Sequence, residues 1–297
     1  MDTLQKIYKL FISTDQRIST DSRKKNVKNS IFFGINGPNF NGNLYAKKAL
    51  DNGAKYAIVD QIIESDNSNI IKVKNTIETL QMLAITHRKN WLTKDKFIIG
   101  ITGTNGKTTT KEILNSIMCS KFNTCFTQGN LNNHIGVPLT ILSLKNEHDV
   151  GIIELGANQK GDIKQLCNIA QPTHGIITNI GKAHLEGFKS IENIQKTKNE
   201  LYEYIKLKNG TLFVNQQDKI LIKLLNNYPR TIFYNCFDLD KKHKTDPSNF
   251  YFQYNPFINF YFQKLKIKTK LIGNYNSYNI AASITISNYF GICFEEI

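Results

Sequence analysis

The sequence predicts an α/β protein of two domains: a small N-terminal α/β domain, then a larger one with a mostly parallel sheet and antiparallel edge strands. Three observations carry this expectation. Short apolar runs alternate with helix-length amphipathic stretches along most of the chain. The apolar run 97–101 leads through the turn Gly103-Thr104-Asn105-Gly106 into a helical pattern over 107–119. The aromatic-rich runs 250–254 and 257–262 lie close together and read as antiparallel strands.

Taken in order, strand-like runs at 30–33, 56–60 and 70–73, with a helical stretch at 43–52, make up the first domain. Ile77, Leu80, Leu83, Ala84 and Trp91 recur near helical spacing over 76–91, and the boundary is expected near Lys94, giving domains 1–94 and 95–297. Further strands at 150–154, 175–178 and 211–214, separated by helix-length stretches, predict the parallel sheet. The 297 residues, 40% of them hydrophobic, suffice for a core in each domain.

Composition narrows the function classes. No apolar run reaches the roughly 18 residues of a membrane span, and 1–10 mixes charges with apolar residues unlike a signal peptide, so no membrane insertion and a cytoplasmic location are expected. The formal charge of +14 is spread along the chain with no aromatic-basic module, so a basic surface suited to anionic substrates is expected rather than nucleic-acid binding. Cys119, Cys125, Cys167, Cys236 and Cys293 are scattered without a CxxC pair and read as reduced packing residues.

Strand, glycine turn, lysine, threonine and helix in that order form an anion site, because backbone N–H groups at the helix start face the phosphates. Lys107 adds a mobile positive charge and Thr108 a hydroxyl suited to Mg²⁺. The generic phosphate-loop pattern needs glycine at 101, where this chain has Ile101, so the loop is a variant. Glu154 ends an apolar strand and is either a solvated strand end or an oxygen ligand for Mg²⁺. His184, in the loop after the strand at 175–178, is either a bystander or a site residue. Lys198 fills a gap in the apolar stripe Ile191, Ile194, Leu201, Ile205 of a helix over 190–206; it must snorkel or lose charge.

Four segments resemble the Mur ligase family: GITGTNGKTTT (100–110), GNLNNHIGVP (129–138), ELGANQKGDI (154–163) and TNIGKAHLEGFKS (178–190). Within it they resemble the branch that adds D-alanyl-D-alanine. The resemblance implies a central P-loop-type ATPase domain that binds ATP through Gly103, Thr104, Asn105, Gly106, Lys107, Thr108 and Thr109. It implies two Mg²⁺ ions held by Thr108, Glu154, His184 and Lys198, the last carbamylated, with Lys107, Lys198 and His184 catalytic. Gly273-Asn274-Tyr275-Asn276-Ser277-Tyr278-Asn279 resembles the family's nucleotide-base segment, with Tyr275 where histidine is usual and Asn276 and Asn279 in register. Thr20-Asp21-Ser22-Arg23 and FGINGPNFNGN (33–43) resemble its uridine-nucleotide domain; Ser22, Arg23, Asn41, Gly42, Asn132 and Asn133 are the implied substrate contacts.

The implied activity is ATP-dependent ligation of D-Ala-D-Ala to UDP-MurNAc-tripeptide through an acyl phosphate, by a monomer. The family's C-terminal ligase domain has no counterpart before Ile297, so the expectation is a chain that binds nucleotide or UDP substrate with little turnover alone. Another Mur-type amino-acid ligase and a non-catalytic nucleotide-binding remnant stay open as alternatives, although NLNNHIGVP (130–138) argues against that sibling ligase and against a folylpolyglutamate synthetase. The third residue of the tripeptide is not legible.

Overall fold

The computed structural model describes residues 3–23, 27–65, 67–181, 188, 190–241, 246, 249–262 and 265–294; His184 lies outside them. The chain forms two compact units, Met1–Lys94 with His134–Asn146, and Asp95–Asn133 with Glu147–Ile297.

In the first unit a parallel four-stranded sheet runs in the order Ile18–Ser19, Ile31–Phe33, Tyr56–Val59, Ile70–Lys72. The helices Thr3–Ser13 and Thr76–Trp91 bury Ile7 and Phe11, and Leu80 and Leu83, respectively. Asn75 caps the longer helix by accepting the Glu78 N–H, which satisfies one of its orphan donors. The segment 134–146 returns to this unit: its helix Gly136–Leu142 is followed by carbonyls of Leu144 and Lys145 that bond the His87 ring and the Trp91 indole N–H at 2.7 and 2.9 Å. A seven-residue apolar helix has no local signal for which unit will bury it, so sequence alone is silent on this excursion.

The second unit is organised by a six-stranded, wholly parallel sheet in the order Thr231–Tyr234, Thr211–Asn215, His174–Ile177, Phe97–Thr102, Val150–Glu154, Thr124–Phe126. Two of these strands, Thr124–Phe126 and Thr231–Tyr234, were not expected from the sequence; each is too short or too mixed for a clear period. Phe97–Thr102 is buried on both faces, as a central parallel strand must be. On one face Ile99 and Ile101 join Leu114, Met118, Ile280 and Ile284 from the helices Lys107–Met118 and Tyr275–Tyr289.

The opposite face is shaped by a pair of glycines. Gly100 and Gly175 are registered neighbours on adjacent strands. A Cβ on Gly100 would lie 3.3 Å from Leu201 Cδ1, and one on Gly175 would lie 3.0 Å from Ile205 Cγ1. These two gaps seat the helix Ile191–Leu207, whose stripe continues from Ile205 and Leu201 to Lys198 at the carboxyl edge of the sheet. Glu200 on that helix accepts the N–H groups of Gly161 and Lys164 at 2.9 and 2.8 Å, tying it to the start of the helix Asp162–Ala170.

The aromatic runs do pair antiparallel, as Phe250–Tyr254, Ile258–Phe262 and Leu265–Lys268, with Phe237–Asp238 parallel to the first. They form a four-stranded sheet of their own rather than extending the parallel sheet. Phe250, Phe252, Ile258 and Phe260 enter the same core as Ile280, so burial is gained by layering rather than by edge pairing. Among the described residues no helix is long and apolar enough to cross a membrane.

His174 stands among Phe97, Phe290, Tyr289 and Phe213, with ring centroids 4.9 to 6.2 Å away. Burial lowers its pKa from 6.5 to about 4. Between those values the unfolded chain binds more protons than the folded one, so the stability contributed by the neutral ring is present above pH 6.5 and lost as pH falls through about 4. Melting temperatures measured across that window should drop less for His174→Phe than for wild type; parallel curves would show that this imidazole is not the acid-sensitive group.

Candidate active site

Because every strand of the second sheet is parallel, Thr102, Thr127, Glu154, Thr178 and Asn215 all arrive at the same carboxyl edge, where α/β proteins gather their sites. The glycine turn leaves the strand Phe97–Thr102 there. Gly103 has φ +147° and a Cβ on it would sit 2.0 Å from Thr178 Oγ1; Gly106 has φ +79° and a Cβ would sit 2.6 Å from Asn279 Oδ1. Both positions therefore demand glycine by backbone angle and by space. The next strand's exit latches the turn: Thr178 Oγ1 and Asn179 Nδ2 donate to the Asn105 carbonyl at 2.6 and 2.9 Å, and Asn179 Oδ1 accepts the Asn105 N–H at 3.1 Å. Thr104 exchanges hydrogen bonds with the Gly181 backbone through its hydroxyl.

Lys107 opens the helix Lys107–Met118 and folds back, its Nζ donating to the carbonyls of Gly103 and Thr104 at 2.9 and 3.0 Å. Burial lowers its pKa, opposed by the charge of Glu154. Thr108 is the pivot of the site: its Oγ1 donates to Glu154 Oε2 at 2.9 Å. Thr109 is half-buried in the same first turn.

Glu154 is 1% exposed. Its Oε1 accepts from Asn132 Nδ2 at 2.8 Å, and its backbone N–H donates to Thr127 Oγ1 at 2.9 Å. A buried carboxylate needs hydrogen-bond donors in place of water, and here a hydroxyl and an amide supply one to each oxygen. Asn132, implied by resemblance as a substrate contact, is placed on this carboxylate; Asn133 is exposed beside it.

Lys198 is 4% exposed, in line with buried Ile194, Leu201 and Ile205. Its amine is pushed down to about 8, by burial first and then by the charge of Lys107, with Asp162 and Glu200 opposing. Lys107 thus senses both Glu154 and Lys198, and the structure gathers Lys107, Thr108, Glu154, Asn132 and Lys198 at one edge. Among the described residues no three His, Cys, Asp or Glu side chains cluster as a metal site, and His184 is outside that set.

Beside the turn opens a cleft of about 620 Å³ lined by Gly106, Asn179, Asn215, Asp218, Tyr278 and Asn279, with Tyr275 at its rim, 68% exposed. Asn279 reaches it while accepting from Thr110 Oγ1 at 3.2 Å and donating to Asn276 Oδ1 at 2.8 Å. Asn276 stands behind it, its Nδ2 spent on the Ile272 carbonyl, so the two asparagines named from sequence form one relay with only the second facing the cleft. Thr127, Asn179, Asn215 and Asp218 were missed by sequence reasoning; the exit of each parallel strand was the signal available.

The remaining candidates lie at the carboxyl edge of the first unit's sheet. Arg23 is paired with Asp21 at 3.1 Å and exposed, and Ser22 is buried with its carbonyl accepting from Asn52. Asn41 caps the short 3-10 helix Gly42–Tyr45 by accepting the Asn43 N–H. A Cβ on Gly42 would lie 2.3 Å from the Ile35 carbonyl oxygen, so glycine is required for that close approach. Beneath them Asp60 takes hydrogen bonds from Thr76 and Asn43; burial would raise its pKa, but these donors outweigh it and hold the carboxyl below its ordinary value.

A model of the Mur ligase middle domain matches residues 101–287. The UDP-N-acetylmuramoyl-tripeptide--D-alanyl-D-alanine ligase of Bacillus subtilis is 29% identical over 284 residues, 94% of this chain and 60% of that protein. The Haemophilus influenzae enzyme of the same name is 38% identical over 209 residues, 68% of this chain and 44% of its own length. Among solved structures, MurF from Acinetobacter baumannii superposes with a TM-score of 0.78 at 30% identity, covering 94% of this chain and 61% of that one. The MurF ligase of Thermotoga maritima in complex with ADP gives 0.77 at 28% identity, covering 100% and 66%. The chain thus spans about 60% of the length of the Bacillus relative.

The glycine turn gives a direct prediction. Gly106→Ala should fold yet bind ADP about tenfold or more weakly in calorimetric titration, because φ +79° and the Asn279 contact both oppose a side chain. Unchanged affinity would remove the turn as the nucleotide seat.

Proposed function

The chain belongs to the Mur ligase family, and from that premise we propose that it serves the ATP-driven ligation of D-alanyl-D-alanine to UDP-N-acetylmuramoyl-tripeptide. The observation that carries the reading is the buried Glu154 carboxylate beside the Thr108 hydroxyl, under the Lys107 ammonium and at the end of the glycine turn. In this reading the turn 103–109 holds the phosphates of ATP on its N–H groups and the helix start, and the cleft at Asn279 and Tyr275 takes the nucleoside. The loops carrying Ser22, Arg23, Asn41 and Gly42 take the UDP moiety, with Asn133 on the acceptor side. A cytoplasmic location goes with this reading, as soluble nucleotide substrates require.

Thr108 and Glu154 fit Mg²⁺, which prefers hard oxygen donors and few protein carboxylates. The cation, when bound, supplies positive charge against the phosphoryl oxygens. A second site would use His184 and a carbamate on Lys198. The lowered Lys198 amine supports the carbamate: its neutral nitrogen attacks the carbon of CO₂, an N–C bond forms, and the proton leaves to solvent. Lys107 stabilises charge on the γ-phosphoryl group as its bond to the β-phosphate oxygen breaks and a bond to the tripeptide carboxylate oxygen forms. That phosphorylation turns a poor leaving group into a good one: the D-Ala-D-Ala amine attacks the acyl carbon, the C–N bond forms as the C–O bond to phosphate breaks, and the amine proton leaves to solvent.

Two experiments test this. ADP titrated into the chain should bind, and Lys107→Ala should lower both that affinity and any substrate-dependent phosphate release, the latter by about 100-fold; a wild-type chain that binds neither ADP nor the UDP substrate would sink the reading. Intact mass in bicarbonate buffer should show the added mass of one CO₂, absent in Lys198→Met; equal masses after correction for the substitution would remove the carbamate.

A further inference from the structure

Lys111 is fully buried, yet no step of the proposed chemistry uses it. It sits on the apolar stripe of the phosphate-loop helix with Leu114 and Met118, where an apolar side chain would serve packing as well and spare the cost of burying an ammonium. What the lysine adds is donors. Its Nζ donates to the Thr127 carbonyl at 2.6 Å, pairs with Glu112 at 2.9 Å and lies 5.5 Å from the Phe126 ring centroid. Glu112 is half exposed, so water screens that pair, and the carbonyl bond is the specific one.

Thr127 is held on its other two sides by the strand that carries the carboxylate. Its N–H donates to the Ile152 carbonyl at 3.0 Å and its Oγ1 accepts the Glu154 N–H at 2.9 Å. Thr108 lies three residues before Lys111, on the same helix face and one turn nearer the loop, and donates to the Glu154 carboxylate. The helix is therefore fastened to the end of the strand Val150–Glu154 directly through Thr108 and, by way of Thr127, through Lys111, and two points fix its rotation about its own axis where one would not.

Resting on the nucleotide reading above, we infer that Lys111 is a positioning residue: through Thr127 it holds the phosphate-loop helix so that the Thr108 hydroxyl and the Glu154 carboxylate stay paired for a divalent cation. The test is calorimetric titration of ADP, with and without Mg²⁺, into the full chain and its variants. Lys111→Met keeps the stem and the core volume but removes the donors. It should leave Mg²⁺-free ADP affinity within about twofold and reduce the Mg²⁺-linked tightening by about 10- to 100-fold, the usual effect of losing an outer partner of a metal site. Lys111→Arg, which keeps charge and donors, should restore part of it. A folded Lys111→Met with the full Mg²⁺-linked tightening overturns the inference, since a merely structural lysine would change melting temperature alone. If that variant does not fold, Lys111→Gln decides: its amide is a neutral donor one atom shorter, drawn back from the Thr127 carbonyl, and the full Mg²⁺-linked tightening there overturns the inference equally. A wild-type chain with no ADP affinity is a different result, overturning the nucleotide reading and this inference with it.

Discussion

A carboxylate taken out of water at the end of a parallel strand must be solvated by the protein, and the arrangement around Glu154 is organised by that need. A hydroxyl from the phosphate-loop helix and an amide from the loop at 132 meet its two oxygens, while its own N–H is anchored on Thr127. Each donor comes from a different part of the chain, so satisfying one group fixes the relative placement of a strand, a helix and a loop. The charge of Glu154 also acts on Lys107, opposing the burial that lowers the pKa of that amine.

The glycines act in the opposite sense, by withholding side chains. Gly103 and Gly106 let the turn pass against Thr178 and Asn279, while Gly100 and Gly175 open the sheet face to Leu201 and Ile205. The first pair shapes the turn at the carboxyl edge and the second determines how near the helix Ile191–Leu207 approaches. Lys198 consequently reaches the same carboxyl edge as Glu154 from the opposite side of the sheet, partly dehydrated and within range of the Lys107 charge.

Much of this was legible in the chain. The strand, turn and helix around 97–118 follow from local pattern, because a strand that ends in glycine turns and restarts as a helix leaves its signature within about twenty residues. Lys198 was marked by its place in an apolar stripe, and Lys111 carries the same mark with Leu114 and Met118, though the stripe was not read there. Asn276 and Asn279 were named together, but only the three-dimensional relay separates the one that faces the cleft from the one that supports it.

The sequence by itself determined the parallel α/β class, the glycine turn with its lysine and threonine, and the place of Lys198 in an apolar stripe. These local features are set by neighbours within an element, where side-chain period and backbone angle act over a few residues; whether Lys198 snorkels or is buried is not one of them. Tertiary structure alone decided that the segment 134–146 joins the first unit, that the aromatic strands form their own sheet, and that Thr127 bridges Lys111 to Glu154. Those outcomes depend on strand order and register, which bring together residues 46 and 169 positions apart such as Thr108 with Glu154 and Thr110 with Asn279. No local period encodes such pairings, because the free energy that selects them is gained only when whole layers pack.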